Sequence, residues 1–373
     1  MKRNRIAIVG SAGIPATYGG FETLAENLVR FHAEYRLADE LTVYCSSRAT
    51  STRPAQFLAT RLRYIPLAPN GIQSIFYDIW SLVSALQKGA DNVLILGVSG
   101  ALFLPVLRVF SNARFTTNID GIERRRQKWG ALARSFLRLS ERAALRWSHT
   151  IIADNQGIAD YVQNTYGRTA QLIAYGGDQA LGSASAAQMP FPIPTDYALS
   201  LCRIEPENNV AMILAAFAQM PEQRLVFVGN WQASQYGRDL WKNYGSFTNI
   251  HLLDAIYDPH LLRRLRDDAW IYVHGHSAGG TNPSMVEMMH FAIPIVAYDC
   301  TFNRFTTEEK AAYFRNSADL CAYIQEMTAV QKLAIGTAMV EIARRRYAWH
   351  DVALAYFSLL GSTGKPPLGD PLQ

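Results

Sequence analysis

A chain of 373 residues, 49% of them hydrophobic, is too long for one ordinary core and apolar enough for two, so two domains of about 150 to 200 residues are expected. Thirty-six basic residues against 31 acidic leave a formal net charge of +5, too small an excess for this length to announce nucleic acid or a bilayer by composition alone. The four cysteines Cys45, Cys202, Cys300 and Cys321 form no CxxC, and the N-terminus MKRNRIAIVG runs into a strand and not an apolar span, which argues for a reduced, cytoplasmic protein without a structural metal site.

The first half alternates short apolar runs with longer helical patterns. RIAIVG, LTVYCS, RYIPL, NVLILG, ARFTTN and HTIIADN read as strands, with FETLAENLVRFHAEY and IFYDIWSLVSALQKG as helices between them. Buried apolar strands interleaved with helices imply a parallel sheet covered on both faces. The first loop, GSAGIPATYGG, carries Gly10, Gly13, Gly19 and Gly20. Such glycines let the backbone approach something a side chain would exclude, either a ligand phosphate or another strand. Gly19 and Gly20 open a helix whose Phe21, Leu24 and Leu28 share one face, and the N–H groups of such a start can receive an anion. The spacing is not GxGxxG, so a nicotinamide site is not indicated, and Glu22 can be read simply as a first-turn acid.

Further on, a basic cluster, Arg124, Arg125, Arg126 and Lys128, precedes ALARSFLRLSERAALRWSHT, where Arg134, Arg138, Arg142 and Arg146 recur every fourth residue. That spacing places four like charges on one side of a helix, readable as a solvated face or as a surface for an anionic bilayer.

The glycine-, alanine-, serine- and proline-rich tract AQLIAYGGDQALGSASAAQMPFPIP breaks the rhythm and marks a domain boundary. The first domain is expected over residues 1–180, a linker over 181–196 and a second doubly wound domain over 197–345. Its strands are YALSLCRI, RLVFVGN, NIHLLDA, AWIYVHG and PIVAYD, and its helices NNVAMILAAFAQM, DPHLLRRLRDD and MVEMMHFA. Residues 346–373 are expected to form a helix crossing back to the first domain, and a tail. His274 and His276 flank Gly275, but no Cys or carboxylate stands at ligand spacing, so no zinc is expected. Ligands of open α/β sheets lie beyond the carboxyl ends of the strands, which selects the loops GSAGIPATYGG, TTNIDGIE, CRIEPENN, FVGN with Gly229 and Asn230, and HGHSAGGTNPS.

HGHSAGGTNPSMVEMMHFAIPIVAYD resembles the donor-binding segment of retaining glycosyltransferases of family 4, with the GT-B fold of two facing Rossmann-like domains and parallel sheets. With GIPATYGGFETL, IDGIERRRQKW and IEPENN, the chain is most similar to the branch containing bacterial rhamnosyltransferases of surface polysaccharide synthesis. The resemblance implies transfer with retention of L-rhamnose from dTDP-L-rhamnose to a lipid-linked or oligosaccharide acceptor. It implies no cofactor beyond that nucleotide-sugar co-substrate, a glycan on a polyprenyl-pyrophosphate lipid as acceptor, no nucleic-acid partner, and a location in the cytoplasm or peripherally at the inner face of the cell membrane. A mannosyl- or N-acetylglucosaminyltransferase of the same fold, or a non-catalytic nucleotide-sugar-binding protein, are the alternatives.

By the same resemblance Glu287 accepts hydrogen bonds from the ribose hydroxyls, Arg203 meets the diphosphate, and Gly279, Gly280, Thr281 and Asn282 present N–H groups to it. Asp120 orients the acceptor hydroxyl or takes its proton, Glu123 is the neighbouring acid, and Thr17, Tyr18 and Glu22 line the acceptor side. The chain departs from the family in two places: Gly279 stands where the first of two paired glutamates is expected, and Asn208 where a lysine is expected. Without the resemblance, Asp120-Gly121 is a common turn pair and Glu287 an acid at a helix edge. No acid pair of DxD type stands at a strand end, so no essential metal is expected.

Overall fold

The alternation read from the sequence builds two parallel sheets, each in its own unit. The computed structural model describes residues 3–16, 19–119, 130–182 and 189–362. One unit takes the chain up to Ile173 together with the chain from His350 onward, and the other takes Ala174–Trp349.

The first unit contains β1 (Arg5–Val9), α1 (Gly20–Glu34), β2 (Glu40–Ser46), β3 (Gln56–Phe57), β4 (Thr60–Ile65), α2 (Gln73–Gln87), β5 (Asn92–Leu96), α3 (Leu104–Phe110), β6 (Arg114–Asn118), α4 (Ala131–Trp147), β7 (Thr150–Ala153), α5 (Gln156–Tyr166) and β8 (Gln171–Leu172). Its eight strands run in the order β3-β4-β2-β1-β5-β6-β7-β8, parallel except for the β3–β4 hairpin. The central strands are buried on both faces, as their unbroken apolar runs require: Val93, Leu94, Ile95 and Leu96 of β5 are all buried. Tyr77, Leu82 and Ala85 of α2, Leu104 and Leu107 of α3 and Ala144 of α4 share one core cluster with the strand residues Val9, Ile95 and Phe115, which puts these three helices on the same side of the sheet. Helix ends follow local chemistry. Asn155 caps α5 by accepting the Gly157 N–H at 2.9 Å, and Gly167, at φ 64°, ends it in the left-handed conformation.

The second unit contains β9 (Tyr197–Leu201), α6 (Val210–Ala218), β10 (Arg224–Val228), α7 (Gln235–Tyr244), β11 (Ile250–Leu253), α8 (Pro259–Asp267), β12 (Ala269–His274), α9 (Pro283–Met289), β13 (Ile295–Tyr298), α10 (Thr301–Thr306), β14 (Ala312–Phe314), α11 (Ser317–Glu326) and α12 (Ala329–Arg346). The six strands, ordered β11-β10-β9-β12-β13-β14, are all parallel. Its core gathers Phe217, Phe227, Trp231, Ile271, Val273 and Phe314.

The second unit begins at Ala174, ahead of the 181–196 tract expected as linker. Gly177 explains why: its backbone lies against that of Val286 and Glu287, where an added Cβ would stand 2.7 Å from the Val286 carbonyl carbon. The Asp178 carboxylate then accepts the Trp349 N–H at 2.8 Å, fastening this segment to its own unit. From His350 the last helix, α13 (Trp349–Leu359), packs on the first unit. The Phe357 ring stacks on Phe31 at 5.8 Å, and the Tyr356 hydroxyl accepts the Asn118 amide N–H at 2.6 Å.

Candidate functional site

In the first unit the glycines of the opening loop approach protein. Gly10, at φ 95°, lies so close to β5 that a Cβ would stand 2.2 Å from the Leu96 carbonyl oxygen, and Gly13, at φ 128°, leaves the same room to the Cys45 side chain. Gly19 precedes α1 at φ 118°, and the space of its missing Cβ holds the Glu22 carboxylate. Glu22 accepts the Ala12 N–H at 2.6 Å, and Glu26 accepts the Ala16 N–H at 2.6 Å, so two acids of α1 fold the loop back over the helix start. Burial holds the Glu22 carboxyl above its usual range, against the lowering effect of the Ala12 N–H. Gly20 is the first residue of α1. Thr17, Tyr18, Asp120 and Glu123 lie outside the described residues. Arg134, Arg138, Arg142 and Arg146 are all exposed on α4.

The second unit assembles its residues beyond the carboxyl ends of β9, β10 and β12. Arg203 leaves β9 half-exposed, 3.7 Å from the Glu205 carboxylate. Asn230, after β10, accepts the Ile204 N–H at 2.7 Å and thereby fixes the loop that carries Arg203. Gly229 is demanded by that packing, since a Cβ there would stand 2.4 Å from Ile204.

Asn208 is buried and both ends of its amide are engaged. Its N–H donates to the Arg203 carbonyl at 2.6 Å, and its oxygen faces His276 Nδ1 at 2.6 Å. His276 Nε2 faces the Ala278 carbonyl at 3.1 Å. With an acceptor on each side, the ring satisfies both only when both nitrogens carry protons, so this geometry favours the imidazolium. Its neighbour His274 is pushed down to about 3 by burial and by the charge of His276, and stays neutral. Ser277 ties the same loop to the Glu207 carbonyl at 2.8 Å, and Asn303 donates to the His276 carbonyl at 2.8 Å, so the segment is held from two sides.

Gly279 and Gly280 then turn the chain through the left-handed region at φ 70° and 75°. A glutamate at 279 would adopt that conformation at a cost of about 1 kcal/mol or more, which is a physical reason for glycine there. Thr281 is buried, and Asn282 caps α9 by accepting the Ser284 N–H at 3.1 Å.

Glu287 is the most constrained acid of the site. Gln179 donates to its Oε1 at 2.7 Å, and Arg266 of α8 pairs with its Oε2. Burial raises its pKa, opposed by Arg266 and Gln179. Trp349 in turn donates from Nε1 to the Gln179 side chain at 2.6 Å. Each carboxylate oxygen keeps a free lone-pair direction, so the group can still accept from a ligand hydroxyl. The sequence singles out neither Arg266 nor Gln179, and it brings up His276 only as a zinc ligand that is set aside. A signal for Arg266 was present: Arg263 and Arg264 meet Asp267 and Asp268 four residues on, whereas Arg266 meets Trp270 and has to find its acid elsewhere.

Among the described residues no group of three or more His, Cys, Asp or Glu side chains could hold a metal ion, and no helix is long and apolar enough to cross a membrane.

The fold is that of the GT-B glycosyltransferases, two Rossmann-like units with parallel sheets. Over 96% of this chain and 98% of the other, it is similar to a sucrose-phosphate synthase from Thermosynechococcus elongatus, with a TM-score of 0.80 and 17% identity. It is similar also to a glycosyltransferase from Rickettsia africae (TM-score 0.71, 11% identity, 96% and 98% covered) and to HepE of Anabaena, solved in complex with UDP (TM-score 0.70, 13% identity, 96% and 100% covered). Residues 186–327 match the glycosyl transferases group 1 family, and residues 3–178 match a domain of unknown function (DUF1972). No curated protein sequence matches the chain. Arg203, His276 and Glu287 all fall within the group 1 match, which together with the shared fold supports a glycosyltransferase.

Proposed function

We propose that the protein is a retaining glycosyltransferase of family 4 that moves L-rhamnose from dTDP-L-rhamnose to a glycan on a polyprenyl-pyrophosphate lipid, at the inner face of the cell membrane, in surface polysaccharide synthesis. The observation that carries the transfer chemistry is the half-buried Glu287, within the group 1 match and held by Arg266 and Gln179, in the same unit as Arg203 and His276. The choice of rhamnose rests on the sequence resemblance of GIPATYGGFETL, IDGIERRRQKW and IEPENN.

In this reading the remaining lone pairs of Glu287 accept the two ribose hydroxyls, while Arg203 and the His276 imidazolium face the diphosphate. His276 thereby supplies the positive charge that the family places at position 208, and Asn208 orients the ring that carries it. The bond from the anomeric carbon to the diphosphate oxygen breaks, and the acceptor oxygen bonds to that carbon on the same face. Asp120 orients the acceptor hydroxyl, whose proton passes to the departing diphosphate oxygen. A β-configured donor then gives a β-rhamnosyl linkage.

A panel of nucleotide sugars, each incubated with the protein and a polyprenyl-pyrophosphate glycan, tests this by release of nucleoside diphosphate. dTDP release from dTDP-L-rhamnose is expected. Exclusive use of GDP-mannose or UDP-N-acetylglucosamine would overturn the rhamnose assignment. Tight donor binding with no turnover across a broad acceptor panel would overturn catalysis itself.

A further inference from the structure

Helices α2, α3 and α4 lie on one side of the first sheet, and their outer faces carry a combination seldom left to water. Phe76 and Trp80 of α2, Val109 and Phe110 of α3, and Leu139 and Trp147 of α4 are all exposed, Phe110 to 83% and Val109 to 78%. The helices adjoin: Val83 and Leu86 line a shallow depression with Leu107 and Phe110, and Arg108 donates to the Trp147 carbonyl at 3.2 Å. Contiguous exposed apolar side chains on this scale mark an interaction surface.

Charge identifies its partner. The exposed ionic groups of these three helices are all cations, Arg108 on α3 and Arg134, Arg138, Arg142 and Arg146 on α4. Their two acids, Asp78 and Glu141, are buried. Tyr166 donates to Glu141 at 2.6 Å and Tyr161 binds the same carboxylate, which turns that acid inward. The Arg146 guanidinium lies 5.8 Å from the centre of the Trp147 ring, a cation beside an amphipathic aromatic. Arginines interleaved with tryptophan, phenylalanine and valine, on helices none of which can span a bilayer, have the chemistry of a surface that lies in the interfacial layer of an anionic membrane.

We infer that the α2–α3–α4 face seats the protein on an anionic bilayer through two separable contributions, arginine attraction to headgroups and insertion of the Trp80, Val109 and Phe110 side chains. Long-range attraction is screened by salt, whereas apolar insertion is not. The inference stands on exposure and charge and does not depend on which sugar is transferred.

Co-sedimentation with vesicles of phosphatidylcholine alone and of phosphatidylcholine with 30% phosphatidylglycerol tests it, at low and at half-molar salt. The wild type is expected to bind the anionic vesicles at least tenfold more strongly than the neutral ones, with part of that binding surviving high salt. A variant with Arg134, Arg138, Arg142 and Arg146 changed to Gln is expected to lose at least tenfold at low salt. A Trp80→Ser, Val109→Ser, Phe110→Ser variant is expected to lose the salt-resistant part. Tryptophan fluorescence of the wild type, quenched by bromine near the headgroup end of the acyl chains, reads insertion without any variant. No binding by the wild type at low salt, binding of both variants equal to wild type, or absence of quenching would overturn the inference. So would sedimentation showing that the apolar triplet instead holds two copies of the chain together in solution.

Discussion

The loop between β1 and α1 and the loop between β12 and α9 have much in common. Both leave an apolar parallel strand, both contain glycines at positive φ, and both lead into a helix with a half-buried acid. What fills the space beside the glycines differs. In the first loop it is the Leu96 carbonyl, Cys45 and the Glu22 carboxylate, so the glycines let the protein pack against itself. In the second, the glycines follow a segment around His276 fixed by Asn208, Glu207 and Asn303, and they lead into the helix whose Glu287 is held by its own cation, Arg266. A glycine-rich strand-to-helix turn therefore signals close approach, and only the neighbouring charges tell whether a ligand is what approaches.

The largest effect separating the two regions should come from the buried ion pair. Arg266→Met leaves Glu287 buried beside no cation and should cost about 3–5 kcal/mol in urea denaturation, whereas Arg266→Met combined with Glu287→Met should regain most of it. No loss in the single variant would mean that the pair does not organise this site. In the first unit Gly10→Ala forces a Cβ against the Leu96 carbonyl and should cost at least about 2 kcal/mol. An unchanged denaturation midpoint would remove the close approach claimed for this loop. His276→Gln should weaken dTDP binding about tenfold by calorimetry, about 1.4 kcal/mol, with little change in melting temperature. Unaltered affinity would remove the imidazolium from the diphosphate site.

A further contrast is read only as a slope. The first unit buries Asp78 with hydrogen bonds from Gly100 and Ser99 as its opposing influences, and burial pushes its pKa up to about 8. Because the folded state then holds a proton that the unfolded chain has released, stability is fullest below about pH 4 and declines as pH rises through about 8. Asp78→Asn should flatten the fall of melting temperature with pH over that window. Parallel curves for the two proteins would contradict it.

Much of this architecture was legible in the residues. The continuous apolar runs around Ile8, Leu94, Leu199 and Tyr272 announced buried parallel strands, because a strand covered on both faces has no polar alternation. The short strands β3 and β14 escaped notice, being too short to show a period, whereas AQLIAYGG could be read as contributing a last strand and holds β8. Helix α9 begins at Pro283, two residues ahead of the MVEMMHFA pattern, since proline suits the first turn and Asn282 caps it. Of the site, Arg203 and Glu287 could be found because each stands at a fixed offset in a local motif. Gln179 and Arg266 could not, because they reach Glu287 from 108 and 21 residues away and only the fold makes them neighbours. The loop glycines were ambiguous for a different reason: a positive φ is visible in sequence, but its neighbour on β5 is not.

The central claim is that Glu287 acts on the donor from a position prepared by Arg266 and Gln179. Glu287→Gln keeps the size of the side chain while removing the charge, but it sets an amide N–H against one of the two donors, Gln179 or Arg266, and leaves Arg266 without its acid, so some stability is lost and the variant is assayed below its own melting temperature. Steady-state transfer from dTDP-L-rhamnose to a polyprenyl-pyrophosphate glycan should then fall at least tenfold in kcat/KM, about 1.4 kcal/mol of lost transition-state stabilisation. An unchanged kcat/KM in the folded variant would contradict the account.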